Sequence, residues 1–243
     1  FINTITPNWS ALSNTSYTFD STYTIKHITQ AGIGGCKDSL TLSLTVVPTP
    51  LAAFSVDSAA CAPWSPVITN TSDGNVLSYN WSIDNLLYAT FNDSTDILPS
   101  LDFTDLQWPL PDEQYNLSLS VTSDDGCSQD TSQSITLYSR PKAGFSLPLD
   151  SCGPYALVPL DTSKTTGTIS EWYWTLTGPD GSIDTSTSSA PVFSLPRSYN
   201  GTALYSLDLQ VADSNGCIDT TTQGFSIYPT PTAGFTLDSS TCT

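Results

Sequence analysis

Apolar residues in this chain seldom form long runs; they alternate with polar ones. Tyr115, Leu117, Leu119 and Val121 are separated by Asn116, Ser118 and Ser120, and Tyr205, Leu207, Leu209 and Val211 by Ser206, Asp208 and Gln210. A period of two belongs to a strand, whose successive side chains point to opposite faces, so each run predicts a strand with one buried and one wet face. Both runs end in a turn, Asp124-Asp125-Gly126-Cys127 or Asp213-Ser214-Asn215-Gly216-Cys217, where glycine supplies the positive φ of a hairpin. A second strand follows each turn, ending over residues 135–138 and 225–228. Helical periodicity is weak throughout, and 17 Pro and 14 Gly punctuate the chain at the intervals of short strands. The pattern predicts an all-β chain.

These runs belong to a longer repeat. Cys61, Cys152 and Cys242 stand 91 and 90 residues apart, and so do Cys36, Cys127 and Cys217. Phe54, Phe145 and Phe235 keep the same steps. Independent markers at one spacing are the signature of tandem units. Cys61-Ala62-Pro63-Trp64, Val67 and Asn70-Thr71-Ser72 match Cys152-Gly153-Pro154-Tyr155, Val158 and Asp161-Thr162-Ser163. A strand carrying tryptophan follows, Tyr79-Asn80-Trp81-Ser82 or Trp172-Tyr173-Trp174-Thr175, and a buried Trp on a mid-domain strand organises a two-sheet core. The joints are proline-bearing: Pro48-Thr49-Pro50, Arg140-Pro141-Lys142 and Pro229-Thr230-Pro231-Thr232. They read as short, semi-rigid linkers that set neighbouring repeats end to end in an elongated array. On this reading residues 1–47 are the C-terminal half of a repeat, 48–139 and 140–229 are full repeats, and 230–243 open the next. About 90 residues suffice for one modest β-sandwich core.

The leading Cys-x-Pro, the Asn-Thr-Ser, the Tyr-x-Trp strand, the closing Asn-Gly-Cys and the Pro-x-Pro joint together resemble the PKD-like (polycystic kidney disease) immunoglobulin-like repeats of giant Bacteroidota surface proteins. The resemblance covers nearly the whole chain. It departs at the turn after the tryptophan, where Ser82-Ile83-Asp84-Asn85 and Thr175-Leu176-Thr177-Gly178 replace the family's acidic, glycine-containing turn. It implies an extracellular array of antiparallel β-sandwiches serving as an adhesin or stalk, or as a spacer or glycan-binding accessory module of a secreted hydrolase. The implied partners are neighbouring repeats of the same polypeptide, other copies in a filament, and surface glycans.

Composition narrows this further. Lys and Arg number 6 against 23 Asp and Glu, a formal net charge of −17, while charged residues are only 12% of the chain. Such a surface repels nucleic acid and anionic lipid. No apolar run is long enough to span a bilayer, and with no Met in the sequence any export signal or anchor is expected outside these residues. Six cysteines point to an oxidising compartment, the cell exterior or surface.

Catalytic chemistry finds little support. The single histidine, His27, sits on the alternating run Tyr23, Ile25, His27, where a strand residue beside the sheet face is expected. No Ser-His-Asp or Cys-His set can be assembled, the cysteines lack the close pairs of a zinc site, and no cofactor is implied. Asp124, Asp125 and Asp130, and again Asp213 and Asp219, cluster near the hairpin turns without Ca²⁺-loop spacing, and read as solvated turns. Trp9, Trp64, Trp108 and Trp172 are less obviously core than Trp81 and Trp174, and exposed aromatics would suit a sugar platform. Asn-x-Ser/Thr sequons occur at Asn8, Asn14, Asn70, Asn80, Asn92, Asn116 and Asn200, and Asp57-Ser58-Ala59 and Asp219-Thr220-Thr221 are O-glycan candidates in such a host.

The cysteines allow two frameworks. Pairing within each repeat gives Cys61–Cys127 and Cys152–Cys217. Tracing the strands instead puts Cys61 at the downstream pole of its repeat and Cys127 at the upstream pole. Cysteines more than about 7 Å apart at Cα do not bridge. The tracing therefore favours Cys61 with Cys217 of the next repeat, leaving Cys36, Cys127, Cys152 and Cys242 to partners beyond these residues. A kinked first strand would restore the first framework.

Overall fold

The computed structural model describes residues 12–92, 95–148, 151–153, 155–196 and 201–237; Asn8, Trp9, Asn200 and Cys242 lie outside them. Every regular element among these residues is a strand. β1 (Ser21–Gln30) and β2 (Lys37–Val46) form a hairpin. β3 (Phe54–Ser55), β4 (Ala59–Cys61), β5 (Thr69–Asn70), β6 (Val76–Ile83), β7 (Ala89–Asn92), β8 (Ser100–Phe103), β9 (Glu113–Ser123) and β10 (Ser128–Tyr138) follow. The next set is β11 (Phe145–Ser146), β12 (Ser151–Cys152), β13 (Tyr155–Leu157), β14 (Leu160–Asp161) and β15 (Ile169–Thr177). It closes with β16 (Ile183–Ser186), β17 (Phe193–Leu195), β18 (Ala203–Asp213) and β19 (Ile218–Tyr228).

The chain divides into two compact units, one of Phe1–Thr104 with Gln114–Thr136, the other of Asp105–Glu113 with Leu137–Thr243. In the first, one layer is the sheet β4-β10-β9-β6 and the other is made of the pairs β3-β5 and β7-β8. In the second, the larger sheet is β12-β19-β18-β15-β16, faced by β11-β14 and β13-β17. Both are immunoglobulin-like β-sandwiches, so the chain is a tandem run of them, as the alternating pattern predicts.

The alternation works as expected. Tyr115, Leu117, Leu119 and Val121 are buried along β9, and Tyr205, Leu207, Leu209 and Val211 along β18, with the residues between them less covered. Trp81 and Trp174 are the largest fully buried side chains. Each takes an edge-on ring from the facing layer: Phe54 at 5.0 Å from Trp81, Phe145 at 5.3 Å from Trp174. Each indole N–H donates to a backbone carbonyl, of Asp96 or Ser188, at 3.0 Å, so the polar end of the ring is satisfied. A Leu or Val buried to this degree contributes about 1.5–3 kcal/mol relative to exposure, so the two rows of inward side chains dominate each core.

The first strand of the second repeat is not one continuous run from Phe54 to Cys61. It breaks after two residues: β3 pairs with β5 in one layer and β4 joins the edge of the opposite sheet. β11 and β12 divide the same way. A strand that changes sheets must bend at the corner of the sandwich, and Pro148, with no N–H to give a ladder, lies at that bend in the later repeat.

The β1-β2 hairpin is antiparallel like β18-β19, but it pairs one residue further back from its cysteine, with Leu40 facing His27 where Thr221 faces Leu209, and it lacks that hairpin's burial. Ile25 faces Leu42 and His27 faces Leu40 across it. Leu40 and Leu42 are 61% and 59% exposed, against 0% for Leu117 and Leu119.

Candidate functional site

The turns that carry the cysteines are built alike. Gly126 and Gly216 both take φ 81°, so the chain reverses without a Cβ clash. Ser123 N–H bonds the Cys127 carbonyl at 2.8 Å, and Asp213 N–H bonds the Cys217 carbonyl at 3.0 Å. The return bond is different. Cys127 N–H reaches a hydroxyl, Ser123 Oγ at 3.2 Å, whereas Cys217 N–H reaches a carboxylate, Asp213 Oδ1 at 3.0 Å. Asp213 is itself buried, and also accepts from Asn215 N–H at 2.9 Å and Thr165 Oγ1 at 3.3 Å.

Cys61 and Cys217 are disulfide-bonded, while Cys36 and Cys127 carry free thiols. Cys152 lies at the end of β12, exposed, opposite Tyr228 in a parallel pairing with β19. Cys217 precedes that same strand, eleven residues before Tyr228. At about 3.3 Å per residue the two cysteines are on the order of 36 Å apart, several times the reach of a disulfide. In the other repeat Thr136 N–H bonds the Ser58 carbonyl at 2.8 Å, three residues before Cys61 and nine after Cys127. The first strand is broken, but its second half runs along the last strand away from the turn, so the two cysteines of each repeat still lie at opposite ends of that strand and the break does not bring them together as a kinked strand was expected to.

Arg140, in the second joint, is the centre of a charged cluster. Its Nε and Nη2 donate to the two oxygens of Asp105 at 2.9 and 2.8 Å, a bidentate fork, and Nη1 donates to Asp219 Oδ1 at 3.3 Å. Hydrogen bonding to Asp105 holds the guanidinium above its ordinary pKa. The backbone is tied as well: Arg140 N–H bonds the Leu106 carbonyl at 2.8 Å and Trp108 N–H bonds the Arg140 carbonyl at 2.9 Å. Gln107 Nε2 donates to the Pro141 carbonyl at 3.1 Å. Asp219 Oδ2 also accepts from Ala143 N–H at 2.8 Å.

The acidic residues singled out in the sequence have separate fates. Asp124, Asp125 and Asp130 are exposed, Asp213 serves its own turn, and Asp219 serves the joint. Among the described residues no group of three or more His, Cys, Asp or Glu is placed to hold a metal ion. His27 is half-buried on β1 opposite Leu40. Trp64 stacks on Phe103 at 5.7 Å, and Trp172 packs against the core with its indole N–H on Asp161 Oδ2 at 2.7 Å, so neither offers a free face platform of the kind considered. Trp108 is half-buried beside Arg140.

A surface groove of about 580 Å³ lies instead over the outer face of β15, where Tyr173 stands with Glu171, Thr187 and Gln210. Sequence reasoning passed over Tyr173, although Trp172-Tyr173-Trp174 on one strand requires the middle ring to face away from the tryptophans. It also missed the Arg140 cluster, whose signal is an arginine at a proline joint in a chain with 6 Lys and Arg in all. No helix among the described residues is long and apolar enough to cross a membrane.

No family model matches this chain, and no curated protein does. Solved structures do. The PKD1 domain of the Vibrio cholerae metalloprotease PrtV is 29% identical over 37% of this chain and 98% of its own, with a TM-score of 0.29. The EC1-3 region of mouse clustered PcdhgC3 is 12% identical over 88% of this chain and 78% of its own, with a TM-score of 0.35. The protocadherin gammaB7 EC3-6 cis-dimer structure is 10% identical over 86% of this chain, with a TM-score of 0.33, and this chain spans 58% of its length. It spans 38% of the protocadherin GammaB4 extracellular domain.

Proposed function

We propose that this segment is a non-catalytic structural or adhesive part of a large secreted cell-surface protein, with its repeats stapled in series. The observation that carries the reading is the repetition of the supporting bonds rather than of the surface. The Gln133 and Gln223 amides donate to the Phe54 and Phe145 carbonyls at 2.6 and 2.7 Å. Thr71 and Thr162 N–H bond the carbonyls of Ala53 and Gly144 at 2.9 and 2.8 Å. Asn70 and Asp161 close the same turn, accepting from Ser72 and Ser163 N–H at 2.9 Å each. A catalyst concentrates its chemistry at one place; a stalk repeats its frame.

The staple we propose joins Cys61 to Cys217. Both are oxidised, and each is out of reach of the other cysteine in its own repeat. The mechanical consequence follows from the covalent path. Tension applied at the two ends would run from residue 1 to Cys61, across the sulfur bridge, and from Cys217 to residue 243. Strands β5 to β18, which hold Trp81 and Trp174, would lie outside that path. Unfolding them could not lengthen the chain until the bridge was reduced.

Single-molecule stretching of the 243-residue segment tests the staple. The oxidised form should withhold on the order of 50 nm of contour length that appears after reduction. Equal contour lengths would overturn it, as would a Cys61–Cys127 or Cys152–Cys217 peptide in a non-reducing digest. The surface location is tested separately, by antibody against the segment. Labelling of intact cells supports it, and labelling only after permeabilisation overturns it.

A further inference from the structure

We propose that the outer face of β15 in the third repeat is a binding site for a neutral polysaccharide, a property independent of the staple. Tyr173 sits on a central strand, flanked by β16 and β18, and is 50% exposed. Trp172 and Trp174 on either side serve the core, so Tyr173 is an aromatic that the fold does not consume. Gln210 lies directly opposite it on β18, and Thr220 directly opposite Gln210 on β19. Glu171 stands two residues back along the strand, on the same side of the sheet. The groove above them, about 580 Å³, is within the range of ligand pockets, roughly 300–1,000 Å³.

The chemistry matches a pyranose. The apolar C–H face of a sugar ring stacks on an aromatic ring. Its hydroxyls need acceptors and donors side by side, which a carboxylate and a primary amide supply. Glu171 is the one charged side chain lining the groove; the others are hydroxyl, amide and aromatic groups with Ala212. With a formal net charge of −17 on the chain, an acidic polysaccharide would be repelled. A basic peptide would meet a single carboxylate and an otherwise uncharged wall.

The wall on the β16 side is already fixed. Ser188 N–H bonds Ser186 Oγ at 3.2 Å, Ala190 N–H bonds Ser188 Oγ at 3.1 Å, and the Ser188 carbonyl takes the Trp174 indole N–H at 3.0 Å. A preset wall spares a ligand the entropy of ordering it. The equivalent face of the second repeat has Asn80 opposite Ser120, with Ser78 in place of Glu171, and no aromatic ring. It serves as an internal control.

The test is affinity electrophoresis of the whole segment in gels containing laminarin, mannan or hydroxyethyl cellulose. At least one of these should retard it. Tyr173→Ala should weaken that retardation by about two- to tenfold, the loss of one stacking contact. Glu171→Gln should weaken it less, and Asn80→Ala should leave it unchanged. Tyr173 is on the surface, so near-ultraviolet circular dichroism of the variant should still report a folded core. The proposal is overturned if none of the three polymers retards the protein. Equal retardation of Tyr173→Ala overturns it too, as does retardation abolished by polylysine or 0.5 M salt, which would mark a cationic-peptide site.

Discussion

In the second repeat Phe54 meets the Trp81 ring at an interplanar angle of 70°, and in the third Phe145 meets Trp174 at 67°. The glutamine that crosses to the first strand and the Asx turn that follows it also coincide. Away from this frame the two repeats part. The turn cysteine is capped by a serine hydroxyl in one and a buried carboxylate in the other. The N–H at the start of the first strand is taken by Gln129 Oε1 at 2.8 Å in one and by Asp219 in the other, and there Asp219 also holds Arg140. The sandwich demands a few contacts that are hard to replace, and everything satisfied by any acceptor of the right reach is free to vary. That freedom is where individual joints and faces acquire their own properties.

The largest effect should fall where the repeats agree. Trp81→Ala and Trp174→Ala each remove a fully buried ring and its indole hydrogen bond, and each is expected to cost about 3–5 kcal/mol. Urea unfolding followed by fluorescence should show similar losses in the two. A large inequality would mean that the shared frame is not the shared source of stability.

The second effect should separate the turns. Asp213→Ala removes a carboxylate holding two backbone N–H groups and a hydroxyl, and is expected to cost about 1.5–3 kcal/mol. Ser123→Ala removes one neutral bond and should cost about 0.5–1.5 kcal/mol. Comparable losses would show that the charge adds nothing to the cap.

How much of this could be read from the chain depends on the range of the interaction involved. The strands, the repeat and the inward rows were legible because period-two alternation and the 90–91-residue spacing are written directly in neighbouring letters. Trp81 and Trp174 were legible as core because they alternate in phase with apolar neighbours, a phase that Trp172 shares and that brings it against the core as well. The break between β3 and β4 was not legible, since a strand that switches sheets keeps the same local pattern on both sides. The division of the chain was also hidden. Asp105–Glu113 clusters with the later unit through contacts to residues about thirty positions away, and nothing local to that segment reports them. Tyr173 was overlooked because an aromatic in a strand is usually core, and only its phase relative to Trp172 and Trp174 says otherwise.

A smaller effect belongs to the joint. Position 140 is arginine, while the corresponding positions of the other joints are Thr49 and Thr230. Arg140→Thr should therefore convert this joint to the character of the others. The Arg140 side chain is 24% exposed and that of Asp105 55%, so solvent screens the pair, and the loss is expected to be about 1 kcal/mol or less. Differential scanning calorimetry should show the gap between wild type and variant narrowing in 1 M salt, where the screening length is about 3 Å. A gap that persists unchanged would assign the effect to packing of the side-chain stem.

The smallest effect distinguishes two tyrosines that hold the same place. Tyr115 donates its hydroxyl to the Leu87 carbonyl and tilts against Phe103 at 4.7 Å. Tyr205 lies flat on Phe225 at 5.4 Å, and burial, with Asp180 nearby adding to it, raises its phenol above the usual value of 10.0. A phenol with a raised pKa in the folded state stays protonated there after the unfolded chain has begun to ionise. Its contribution to stability is complete below about pH 10 and declines as pH rises through the unfolded and then the folded value. Tyr205→Phe should thus be close to neutral at pH 7 and should lessen the loss of stability above pH 10. Urea unfolding of the variant and the wild type at pH 7 and pH 10.5 measures the difference. Parallel losses in the two proteins between those pH values would show that the alkaline decline comes from other groups, and that the stacked ring differs from Tyr115 in contacts alone.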